Sequence, residues 1–145
     1  MFVLPVGSIC AEHAYLHLAA PLIPLVGKWF VFWSAGVRLF LAGARQFLQP
    51  RFTSEHILGI KSDESLPIVQ ELGIANFAMG VVGIASLAKP SFVLPVAIAA
   101  AIFYGAAGIR HTAARARTVN GNIAMVSDLF VFLIFAGYVA SVEIG

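Results

Sequence analysis

Charged side chains interrupt stretches that are otherwise apolar and long enough to cross a bilayer. Glu12, Arg38 and Asp128 lie inside such stretches, with Glu71 and Asn76 at the edge of or inside another. An ionised group in hydrocarbon is costly, so such residues turn toward a bundle interior, where they pair with one another. The chain therefore reads as a helical membrane protein with a polar thread through its core.

Composition supports that medium. Apolar residues make up 60% and charged residues 11% of 145 residues, against about 25% charged in a typical soluble domain. A chain this short, one domain over 1–145, leaves roughly a third of its surface exposed on folding in water. Lipid is the solvent that accepts such a surface.

A span needs about 20 mostly apolar residues. Five stretches meet or approach that: 1–20, 29–48, 68–87, 92–109 and 123–142. The expected fold is an all-α integral membrane bundle of five transmembrane helices. The alternative is four spans, with residues 1–20 lying at the surface because Glu12, His13 and His17 interrupt them. The first stretch lacks a basic flank and reads as a retained segment, not a cleaved signal peptide. Pro5 and Pro95 fall in first turns, Pro67 sits just before the third stretch, and Pro21, Pro24, Pro50 and Pro90 read as connections. Thr53 or Ser54 caps a short turn, Ser65 caps the third helix, and Asn120-Gly121 stops the fourth.

Lys and Arg are unevenly divided between the connections. Arg45, Arg51, Lys61, Arg110, Arg115 and Arg117 cluster around 49–67 and 110–122, and only Lys28 and Lys89 lie at the other end. Positive residues stay inside. The two rich connections are therefore expected in the cytoplasm of a bacterial inner membrane, with the N-terminus inside and Gly145 outside if there are five spans.

Depth along the helices, at about 1.5 Å per residue, predicts two polar layers. Glu12 and Arg38 form a central pair. Arg45, Glu71, His111 and Asp128 form a second layer nearer the cytoplasmic surface, with Asn76 somewhat deeper. Arg38 and Arg45 are seven apart and share a face, expected to point inward. This cluster is either a path or pocket for a proton, anion or polar ligand, or a set of ion pairs that fixes helix register. Arg45, near a helix end, also reads as a side chain that snorkels.

Ala97, Ala101 and Gly105 form a stripe of small residues that packs inside the bundle or against a second copy or another membrane protein. His13 and His17 are spaced for a metal but lack a third ligand, and no metal or cofactor is expected. Trp29, Phe30, Phe32 and Trp33 read as an interfacial aromatic belt. Cys10 reads as a small hydrophobe. No phosphate loop or nucleophile motif occurs, and no basic patch suits nucleic acid.

Four segments, KWFVFWSAGVRLFLAGARQFLQP, VQELGIANFAMGVVGIASL, AIFYGAAGIRH and AMVSDLFVF, resemble an uncharacterised family of small bacterial multi-span membrane proteins. They cover about the last four-fifths of the chain in order. The V-R-L-F-L-A-G run is also loosely similar to the DoxX-like four-helix membrane proteins. The resemblance implies a helical membrane bundle. It assigns no activity and no role to Arg38, Glu71, Asn76, His111 or Asp128. The expected function is a non-enzymatic membrane component or accessory subunit among membrane lipids. A carrier of protons or a small anion is the first alternative, and a protein that binds a quinone-like or lipid ligand is the second.

Overall fold

The computed structural model describes residues 2–17, 19–113 and 119–144. These form an all-α bundle, and no strand occurs among them. Five longer helices build it, α1 Val3–Tyr15, α2 Leu22–Leu48, α3 Leu66–Ala85, α4 Val93–Ala113 and α5 Val119–Ile144, with a short helical run over 50–57 between α2 and α3. Four helical stretches, beginning at Leu22, Asp63, Pro90 and Gly121, are long and apolar enough to cross a membrane. Among the described residues α1 is not one of the helices that qualify as a span by length and composition.

The first helix departs from the expected span. Its 13 residues rise about 20 Å, well short of a hydrocarbon core of about 30 Å. His17, in the left-handed region at φ 51°, ends it, and α2 begins at Leu22 instead of Trp29. Pro24 is tolerated there because the first turn leaves its amide unpaired in any case. The α1 helix runs antiparallel beside the first half of α2. Glu12 faces Lys28 and Trp29, Ser8 faces Trp33, and Phe2 reaches Phe130 with ring centroids 4.3 Å apart.

Helix α2 is continuous but not uniform. Between two α-helical parts its turns widen to π geometry over Val31–Val37. The Arg38 amide reaches back five residues to the Trp33 carbonyl. The Ser34 carbonyl, its partner in an ordinary α-helix, instead accepts the Tyr104 hydroxyl from α4. Such widened turns concentrate at functional positions. This one ends where Arg38 begins.

Helices α2 and α3 pack through glycines. A Cβ on Gly80 would overlap the Phe40 amide nitrogen, one on Gly43 would lie 2.5 Å from the Gly73 carbonyl oxygen, and one on Gly83 2.6 Å from the Gly36 Cα. Lipid supplies no hydrophobic drive between helices, so this close backbone approach carries the association. On α4 the small-residue stripe also points into the bundle. Ala97 is fully buried, and Gly105 sits against the Phe132 ring of α5. Val31, Ala35, Val96, Ala100, Val131 and Phe135 complete a core shared by α2, α4 and α5.

Local expectations met mixed outcomes. Pro5, Pro67 and Pro95 sit in first turns. Ser65 precedes α3, yet its side chain makes no capping bond; the hydroxyl donates to the Ser62 carbonyl and meets Ser54 Oγ at 2.7 Å. Asn120-Gly121 opens α5 instead of closing α4. Most of the expected basic turn between those helices, including Arg115 and Arg117, lies outside the described residues.

Substituting Gly80 by Ala forces α2 and α3 apart and costs about 1–3 kcal/mol. Gly137, where an added Cβ meets nothing within 4 Å, tolerates the same change within about 0.5 kcal/mol. Unfolding titrations in mixed micelles, comparing Gly80→Ala with Gly137→Ala, check this difference.

Candidate functional site

Arg38 leaves the widened turn of α2 pointing at α5. Its Nη2 donates to Asp128 Oδ1 at 2.6 Å and to Ser127 Oγ at 3.0 Å. The Ser127 hydroxyl in turn donates a hydrogen bond to the Ala124 carbonyl. The guanidinium carbon lies 4.7 Å from the centre of the Tyr104 ring, a cation–π contact strengthened by exclusion of water. The π turn thus acts twice: it frees the Ser34 carbonyl that anchors Tyr104, and Tyr104 then supports Arg38. Asp128 is buried at 6% exposure. Buried Nη1 of Arg38 has no hydrogen-bond partner among the described residues.

The pair forms the floor of a cavity of about 590 Å³. Its walls come from α2 (Leu39, Ala42, Gln46), α3 (Val69, Leu72, Asn76) and α4 (Phe103, Ala107), and the 50–65 segment closes one end. Asn76 donates to Gln46 at 2.8 Å across the α2–α3 seam. Arg110 and His111 stand at the far wall on α4. Ile68 of α3 and Ile102 of α4 line the cavity yet are each 69% exposed. The space therefore opens sideways between α3 and α4. A cavity in the range of about 300–1,000 Å³ that is apolar with few polar groups has the character of a ligand site.

The end at 50–65 is strapped. Arg51 bridges Glu55 at 3.1 Å and Asp63 at 2.8 Å, and these carboxylates push its pKa further up. Buried Ser54 donates to the Ile60 carbonyl at 2.6 Å. Gly59 turns the chain at φ 72°, where a Cβ would be strained.

The structure re-sorts the residues read from sequence. Arg38, Asn76, His111 and Asp128 line one cavity. The Glu12–Arg38 pair does not form. Because α1 is half-length, Glu12 stays near the start of α2, bonded to Lys28 Nζ at 2.7 Å and Trp29 Nε1 at 2.6 Å. The Lys28 ammonium holds its carboxyl below the usual range, against partial desolvation. Arg45 faces outward and stacks on Phe52 at 3.6 Å, the snorkelling alternative. Glu71 is exposed on α3, away from the cavity. The aromatic belt also clasps the N-terminal helix, since the indole N–H groups of Trp29 and Trp33 hold α1 through Glu12 and Ser8.

Three contributors escaped sequence reading. Tyr104 carried a signal, since a hydroxyl in an apolar span requires an acceptor. Ser127 adjoins Asp128, and Gln46 lies about two turns along α2 from Arg38; neither stands out without the fold.

A family model matches residues 1–143. The chain belongs to DUF6790, a family of unknown function. No curated protein and no solved structure matches it. Membership of DUF6790 takes in the N-terminal helix as well as the segments that carried the resemblance. It extends neither to the DoxX-like likeness nor to a bacterial source.

Removing either charge of the Arg38–Asp128 pair strands the other and costs about 3–5 kcal/mol. Arg38→Gln with Asp128→Asn loses much less than the sum of the single changes, whereas Arg38→Gln and Glu12→Gln add. A double-mutant cycle of micellar unfolding gives both numbers, and additivity at Arg38 and Asp128 refutes the pairing.

Acid separates α1 from α2. A lowered folded-state pKa means that the Glu12 contribution is complete above the ordinary carboxylate range and disappears as pH falls through the folded value. Tryptophan emission is expected to shift only as pH falls below the ordinary carboxylate range, about 4–4.5, with no such transition in Glu12→Gln.

Proposed function

We propose that the protein is a non-enzymatic membrane component that binds a lipid-soluble ligand in the cavity between α2, α3 and α4. One observation carries the reading: the cavity of about 590 Å³ has apolar walls, a sideways opening at Ile68 and Ile102, and the Arg38–Asp128 pair at its floor. A register-fixing ion pair needs neither the space nor the opening. A polar head at the floor with an apolar body against Leu39, Val69 and Phe103 uses both.

This favours the ligand-binding alternative over a continuous ion path. Beyond Arg38 and Asp128, toward the start of α2, the core turns apolar at Val31, Ala35, Val131 and Phe135. An ion leaving the floor in that direction meets the buried Ser34 and Tyr104 hydroxyls in an otherwise apolar core, and desolvation there is costly. The distribution of Lys and Arg supports the 50–65 segment facing the cytoplasm. With four spans, α1 and the end of α5 then share the opposite side.

Nitroxide-labelled stearic acid and its methyl ester in nanodiscs test the reading. At least one probe shows a motion-restricted component with wild-type protein that is lost in Ala107→Trp, which fills the cavity. A component unchanged by Ala107→Trp places the probe elsewhere and refutes it.

A further inference from the structure

We infer that the ligand is a neutral lipid alcohol, whose hydroxyl donates to Oδ2 of Asp128 while its chain leaves the cavity between α3 and α4. The inference rests on the cavity being a ligand site and adds the class of ligand.

Open atoms come first. Asp128 lines the cavity, and its side chain keeps 8% exposure. Its Oδ1 is taken by Arg38 at 2.6 Å. Among the described residues, the enclosed side-chain atoms left without a partner are His13 Nδ1, Ser34 Oγ and Arg38 Nη1. Oδ2 of Asp128 has no hydrogen bond there either, yet it is not enclosed, so it is an accessible acceptor that lacks a donor. The same holds for Nε of Arg38, a donor that lacks an acceptor. On the wall, Asn76 spends an amide N–H on Gln46 at 2.8 Å, and its Oδ1 is again neither bonded nor enclosed. Acceptors at the floor and on the wall call for a head that donates.

Charge restricts that head. Arg38 and Asp128 offset each other, and Arg110, the other permanent cation of the lining, is exposed. A carboxylate brought to the floor adds a second anion beside Asp128 and has no proton to give. An ammonium adds a second cation beside Arg38. Either sheds its hydration with no free counter-charge to receive it, which is costly. A hydroxyl gives one proton and accepts through two lone pairs, so it suits Oδ2 and Nε without adding charge.

Shape sets the rest. The opening flanked by Ile68 and Ile102 lets a chain longer than the cavity pass out between α3 and α4. Both helices belong to stretches long and apolar enough to cross a membrane. Inside, the chain lies against Leu39, Val69 and Phe103.

Nitroxide-labelled stearyl alcohol in nanodiscs tests this, with oleyl alcohol, its methyl ether and oleate as competitors. Wild type is expected to show a motion-restricted component that Ala107→Trp abolishes. Oleyl alcohol displaces the probe on the order of tenfold better than the ether or oleate, as a hydrogen bond to a charged acceptor requires. The ether keeps the oxygen and loses only the proton. In the paired variant Arg38→Gln with Asp128→Asn the gap closes, since an amide oxygen is a weaker acceptor than a carboxylate. The wild-type comparison decides the matter even if that variant does not fold. Equal displacement by the ether, or better displacement by oleate, overturns the hydroxyl head and leaves the cavity reading in place. A gap that persists in the paired variant overturns Asp128 as the acceptor. Restriction of the labelled acid or ester without restriction of the alcohol also sinks this inference alone. Restriction that survives Ala107→Trp, or none with any of the three probes, removes the cavity reading with it.

Discussion

An ion pair in a low-dielectric interior organises this bundle. Arg38 and Asp128 sit on α2 and α5, far apart in chain order, and neither is tolerable alone in hydrocarbon. Their contact at 2.6 Å fixes how α5 lies against α2. Tyr104 of α4 closes the arrangement by placing its ring on the guanidinium and its hydroxyl on the Ser34 carbonyl. Three helices thereby share one polar node. Its net stabilisation is modest, since desolvation offsets much of the attraction, but it excludes registers that would part the charges.

The glycine seam works by a different principle. Between α2 and α3 the backbones touch at Gly36, Gly43, Gly73, Gly80 and Gly83, and association rests on dispersion at short range. Tight contact along that seam contrasts with the space between α3 and α4. There side chains such as Ile68 and Ile102 stand apart, exposed, over the cavity. The bundle thus combines one closed helix pair with one open flank.

Much of this was legible in the sequence for simple reasons. Hydropathy located α2, α3, α4 and α5, because burial in lipid leaves a continuous apolar record. The intramembrane charges pointed to a polar core. Their pairing was not legible, because depth counting took residues 1–20 as a full crossing and so put Glu12 level with Arg38. The helix stops at Tyr15, and Glu12 belongs with Lys28. Arg45 and Glu71 were misplaced because residue spacing gives a face but not the neighbour that faces it. The π turn left no trace at all, since one widened turn barely alters the apolar pattern of VFWSAGV.

That turn divides α2 into two segments with separate duties. Each turn over Val31–Val37 takes up more residues than a regular one, so the lower segment is rotated in phase from where an unbroken helix would put it. The upper segment presents Trp29 and Trp33 to α1; the lower presents Arg38, Ala42 and Gln46 to the cavity. The two faces are uncoupled in angle although they share one rod. Substitutions below Val37 can then alter the lining of the cavity without disturbing the N-terminal clasp above it.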